Sequence, residues 1–290
     1  MNPSYLIFPE YRCACVADHI QSLPDLWVWK LPFASAEEVN ELFYDAAPIY
    51  EWMAKEKHFR MRVYRDLRQK EKKWIIGFGG TELMDLTHWK NNLQQWAGCE
   101  AEMYERAVEI VGKLRPEHKG NMILTGHSLG GGLATVAATV HKIQAVVFNP
   151  PGIHASTLKR YEVSAADGNA YVRRFVVNGD LLNLINHIPS LYIHPVGRKQ
   201  AIGGSSRFPF WSAAAILALL TLSVIVRKKG IERHEMAMLT LLGLPVSTLE
   251  KGFELHRMSK VYEGMEKWYD SWCNINFANT LAGNAGSSDK

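Results

Sequence analysis

The chain has 290 residues, 47% of them hydrophobic and 21% charged, which fits a globular protein with a substantial core and excludes disordered and collagen-like classes. Its formal net charge is +4, from 33 basic and 29 acidic residues, and without a long run of like charges this gives no basis for a nucleic-acid partner. Four cysteines, Cys13, Cys15, Cys99 and Cys273, are too few for a disulfide framework. The close pair Cys13/Cys15 lacks the second ligand pair that a zinc site needs, so reduced thiols and no metal are expected.

Met1 to Ile20 shows no basic stretch followed by an apolar one, so no secretory leader is expected, and the corresponding expectation is a cytoplasmic product in the producing cell. Ser35 and Glu38 have capping-box spacing and open a helix whose apolar residues Val39, Leu42, Phe43 and Ile49 recur at helical spacing until Pro48 disturbs it. Phe59 to Tyr64 alternates apolar and basic residues, and Trp74 to Phe78 is continuously apolar apart from Gly77, so the two read as adjacent strands with the second buried. Glu100 to Leu114 is an amphipathic helix that closes before Pro116. Asn121 to Thr125, Ala145 to Phe148 and Tyr171 to Asn178 read as further buried strands, with a helix of small apolar residues over Leu133 to Ala138. Strands alternating with helices predict an α/β fold built on a mostly parallel sheet with helices on both faces. The small-polar tail from Gly283 to Lys290 reads as frayed.

The turn between the strand ending at Thr125 and that small-residue helix reads Gly126-His127-Ser128-Leu129-Gly130, a G-x-S-x-G sequence in the strand–turn–helix setting that a nucleophile elbow requires. A turn this sharp strains the serine backbone, and the flanking glycines let the chain approach itself closely. The hydroxyl then projects at the carboxyl end of the strand, next to a helix N-terminus that favours developing negative charge. A serine hydroxyl needs a base to take its proton and a carboxylate to orient that base. On this type of sheet the chain order is Ser, Asp, His. Asp180, just past the strand Tyr171 to Asn178, is where the carboxylate belongs, and it is preferred over Asp167, which sits in an Asp-Gly turn. The candidate bases are His154, His187, His194, His234 and His256. His234 is the preferred base because it stands where a loop meets an apolar helix, and His194 and His187 stay open as alternatives. The oxyanion donors are expected at the N–H of Leu129 and in the loop Phe78-Gly79-Gly80-Thr81 that follows the buried strand. His127 reads as a packing residue.

Gly79-Gly80-Thr81, the following Asp85 and Trp89, Thr125 to Gly131, Asn149-Pro150 and Val176 to Asp180 together resemble class 3 (fungal-type) lipases, in particular the bacterial lipase-like α/β-hydrolases that include phospholipase effectors. The resemblance covers about residues 74–180 and the region of His234. It implies an α/β-hydrolase fold with Ser128 as nucleophile, Asp180 as orienting acid, His234 as base, and Thr81 with Leu129 as the oxyanion hole. The chain departs from the family in carrying Gly79 where the family has an arginine before Gly-Thr, and in an apolar stretch between acid and base. Members cleave acylglycerols or phospholipids, so the resemblance implies a lipid or phospholipid substrate, a membrane surface as partner and no cofactor. Its effector branch implies export without a leader, secretion machinery and an immunity protein. No acidic loop with EF-hand spacing points to calcium.

Phe208 to Val226 is uncharged and followed at once by Arg227-Lys228-Lys229, so its length and flank would also suit a membrane span. A single crossing would separate Asp180 from His234. The expectation is therefore one hydrolase domain over 1–290 in which 205–230 is a lid or membrane-contacting insertion, with Phe210, Trp211, Leu217 and Leu220 as its lipid-facing residues. The functional expectation is a serine ester hydrolase acting on lipids, favouring phospholipids. The alternatives are a thioesterase or small-molecule esterase, and a membrane-perturbing toxin with a vestigial hydrolase domain.

Overall fold

The computed structural model describes residues 8–22, 32–46, 60–66, 71–79, 102–180, 182–183, 186, 193–204 and 254–285. Six strands form one sheet in the order β1-β2-β3-β4-β6-β8: β1 Arg60–Arg65, β2 Trp74–Gly79, β3 Met122–His127, β4 Gln144–Phe148, β6 Val172–Asn178 and β8 Arg198–Gly204. β1 is antiparallel to β2 and every other neighbouring pair is parallel. A two-stranded antiparallel ribbon joins β5 Ile153–His154 to β7 Ile193–His194. The apolar runs behave as parallel strands covered on both sides should, with every residue of β2 buried and the alternating β1 at the antiparallel edge.

Alternate residues of these strands feed two cores. Trp74, Ile76, Phe78, Leu124, Ala145 and Val147 pack with α2 Ala36–Leu42, α3 (residues 102–112) and α4 Leu129–His141. Ile75, Val146, Phe148, Phe175, Val177 and Ile202 face the other way, onto α1 Pro9–Ser22 and α5 Met258–Ala285. The mixed, mostly parallel sheet with helices on both faces, and a glycine-flanked serine turn after its third central strand, is an α/β-hydrolase fold.

Local differences from the sequence reading have clear causes. The Ser35–Glu38 capping box is formed, but the helix it opens ends at Leu42 because Phe43 turns extended and bridges to Leu114. Ile49 and Pro48 lie outside the described residues. α1, β8 and α5 were not anticipated. α1 is anchored by a buried pair in which the Arg12 guanidinium lies 2.9 Å from Asp66, just past β1. The described cysteines Cys13, Cys15 and Cys273 carry reduced thiols, and burial pushes Cys15 up to about 12, so it stays protonated. Among the described residues no helix is long and apolar enough to cross a membrane. The 205–230 insertion, with Phe210, Trp211, Leu217 and Leu220, lies outside them.

Candidate active site

The serine turn shows why both glycines of its motif are needed. Ser128 sits between β3 and α4 with φ 54° and ψ −130°, a strained conformation for a residue with a side chain. A Cβ at Gly126 would stand 2.3 Å from the carbonyl carbon of Gly130, and one at Gly130 would stand 2.1 Å from the Phe78 oxygen at the end of β2. The first turn of α4 can therefore lie directly on its own strand and on the neighbouring one only if both positions lack side chains. Ser128 is buried, and its Oγ has no hydrogen-bond partner among the described residues. Leu129 is the first residue of α4, and N–H groups in a helix's first turn have no intrahelical acceptor, which suits an oxyanion donor. Thr81, the second expected donor, lies outside the described residues.

The carboxylate stands two strands away. β6 ends at Asn178, the chain turns through Gly179 at φ 88°, and Asp180 follows with no exposed surface. Its Oδ1 is 2.5 Å from His256 Nδ1, and its Oδ2 accepts the Asn183 N–H at 2.8 Å. Asp167 does something else: it closes a capping box with Ser164 at the start of the short helix Ala165–Gly168.

The histidine on Asp180 is thus His256, in the turn just ahead of α5, rather than His234, which the sequence reading preferred and which lies outside the described residues, as does His187. His194 is exposed on β7, opposite Ile153, and His154 N-caps the helix Ala155–Arg160. The signal that could have found His256 was available. Met258, Val261, Tyr262, Met265 and Tyr269 recur at helical spacing, so His256 stands at a loop-to-helix junction by the same criterion that was applied to His234.

His127 and His256 lie against each other with ring centroids 4.7 Å apart. The His127 Nε2–H donates to the His256 carbonyl at 2.7 Å. Burial, reinforced by the neighbouring His256, holds the His127 imidazole well below the usual histidine range, so it stays neutral. The sign of the stability effect follows. Below about pH 6.5 the unfolded chain takes up a proton that the folded chain refuses, so this group's contribution is intact above that pH and is lost as the pH falls, by at most about 1.4 kcal/mol per pH unit. His127→Gln is expected to flatten the fall of the urea midpoint between pH 6.5 and 5, and an unchanged slope would refute this account. Asn149, just past β4, is completely buried in a left-handed conformation at φ 42°, and its side-chain oxygen accepts the Val177 N–H at 2.9 Å.

The sequence profile of the phospholipase-like family, described as a Tle-like phospholipase domain, matches residues 14–207, about two thirds of the chain. The chain belongs to this family. The matched Tle-like stretch contains the Ser128 turn and Asp180, while residues 254–256 lie beyond it. A similar protein is an extracellular phospholipase A1 of Serratia liquefaciens, 31% identical over 140 residues, which are 47% of this chain and 43% of that protein. The chain thus matches less than half the length of that relative. Among solved structures, Rhizomucor miehei lipase in its native propeptide complex overlaps at a TM-score of 0.31 and 15% identity, over 61% of this chain and 72% of that one. The sheet order β1-β2-β3-β4-β6-β8 carries the fold of this Tle-like phospholipase domain.

Proposed function

We propose that this phospholipase-family protein hydrolyses the acyl esters of phospholipids through Ser128, His256 and Asp180. The observation that carries the reading is the buried Asp180–His256 pair, with His256 packed against the residue that precedes the strained, unpartnered Ser128. Asp180 engages Nδ1 of His256, which fixes the tautomer and leaves Nε2 to take the Ser128 proton as Oγ attacks the acyl carbonyl. The alcohol leaves with that proton. Water, activated by the same imidazole, then releases the fatty acid and restores Ser128. The N–H groups at the start of α4 favour the charge that develops on the carbonyl oxygen. Membership of a phospholipase-like family supports the lipid class.

The test is fatty-acid release from mixed phospholipid vesicles and from detergent-dispersed lipid, wild type beside Ser128→Ala. Release that depends on Ser128 is expected. Release by both proteins, or by neither in either lipid form, would overturn the reading.

The proposal extends to where the protein acts: at a membrane surface after export, as an antibacterial effector with secretion machinery and an immunity protein as partners. Support comes from the sequence resemblance to bacterial phospholipase effectors and from a relative named as extracellular. Directing the wild type to the periplasm of a bacterial host is expected to stop growth, with Ser128→Ala tolerated. Equal tolerance of both, at equal protein levels, would count against this role.

A further inference from the structure

Two donors from different parts of the fold meet at one backbone carbonyl. The His256 oxygen accepts from His127 Nε2 at 2.7 Å and from Asn149 Nδ2 at 3.4 Å. The same Asn149 nitrogen lies 3.3 Å from the Leu255 oxygen. At its other end the Asn149 amide accepts the N–H of Val177, on the strand that leads into Asp180. His127 is the last residue of β3 and Asn149 immediately follows β4, so the carbonyl ends of three adjacent strands are tied to the turn that bears His256.

That turn needs such an anchor. The backbone bonds Arg257 N–H to Glu254 O and Lys260 N–H to Arg257 O close the turn on itself and leave its orientation against the sheet open. His127, Asn149 and His256 are all buried, so water cannot readily replace a lost donor. The left-handed backbone at position 149 also explains the residue type, because asparagine tolerates that conformation and its amide carries both an acceptor for β6 and a donor for the turn.

We propose that His127 and Asn149 are positioning residues for His256: their N–H groups hold its carbonyl so that the imidazole stays seated on Asp180, beside the turn that carries Ser128. The proposal rests on the reading of His256 as the general base. Both residues are buried and act through the His256 carbonyl. A misplacement of the base by about 1 Å is enough to cost about 100-fold in rate.

The test uses the full chain, with the rate of Ser128 labelling by a fluorophosphonate and kcat and KM for phospholipid hydrolysis as readouts. His127→Met removes the donor at similar volume, and His127→Gln keeps an N–H. His127→Met is expected to lower the labelling rate and kcat together by about 10- to 100-fold with KM unchanged, and His127→Gln to recover most of the loss. The downfield proton resonance of the His256–Asp180 pair is expected to survive in the Gln variant and to shift or broaden in the Met variant. Asn149→Gly, which tolerates the left-handed backbone, is expected to follow the Met pattern and decides the matter if His127→Met does not fold. One measurement needs no variant: nitrogen shifts of wild-type His127 must show Nε2 protonated, and the opposite tautomer would remove the donor and overturn the proposal. Wild-type rates and an unmoved resonance in His127→Met would do the same while leaving His256 as base. Failure of the wild type to be labelled at Ser128 would instead bring down the reading of the site itself.

Discussion

His256→Ala is expected to lower phospholipid turnover by about 10⁴-fold or more, while His234→Ala stays within a few-fold of wild type. Without an imidazole on Asp180, no group takes the Ser128 proton, and what remains is the contribution of substrate binding and of the N–H donors at the start of α4. Alanine also leaves the wholly buried Asp180 with one partner fewer, which costs about 1–3 kcal/mol in stability. His256→Gln keeps an N–H for Asp180 and separates the two losses: it is expected to be inactive with nearly wild-type thermal stability. The opposite outcome, with activity lost in His234→Ala and kept in His256→Ala, would return the base to the histidine preferred from the sequence.

Asp180→Asn is expected to reduce kcat by about 10³- to 10⁴-fold in a protein that still folds. The carboxylate accepts from two sides, His256 Nδ1 at 2.5 Å and the Asn183 N–H at 2.8 Å. An asparagine can meet the Asn183 N–H with its oxygen only by presenting its NH₂ to His256. The imidazole must then offer Nδ1 as an acceptor and carry its proton on Nε2, the nitrogen that has to be empty to deprotonate Ser128. The change therefore converts the base into the wrong tautomer while every buried polar atom keeps a partner, so stability should move little. Measured kcat and urea midpoints check both halves. A large loss of stability, or near-wild-type kcat, would contradict this reading of the pair.

Much of this was legible before any coordinates, for local reasons. Continuously apolar runs such as Trp74–Phe78 and Ala145–Phe148 fit only strands covered on both sides, and they became β2 and β4. The glycines around Ser128 announced a turn, and the structure shows the backbone contacts that forbid side chains there. Asp180 was legible because it closes a strand, and it is the acid that meets a histidine. Choosing that histidine was harder. Nothing near His256 in sequence names Asp180, 76 residues earlier; the pairing arises because α5 packs on β6 and β8, with Gly264 so close that a side chain at Gly203 would strike its Cα. α1 escaped notice because it is covered on one side by the sheet and on another by α5, which blurs the amphipathic stripe that a surface helix would show. His127 reads as packing from the sequence, and its burial fits that; its hydrogen bond to a distant carbonyl is visible only in three dimensions.

The distance in sequence between Asp180 and His256 has a temporal consequence. A chain emerging from the ribosome completes the strand–serine turn and the acid well before residues 254–269 exist, because domains are built from the amino end at about 5–20 residues per second. The proposed nucleophile and carboxylate can come together on the sheet first, and the imidazole joins them only when α5 settles across β8 and draws the turn before it into place. Hydrolytic competence would thus switch on only once α5 has been made, so nascent chains that stop before residue 256 would leave the lipids of the cell that makes them intact.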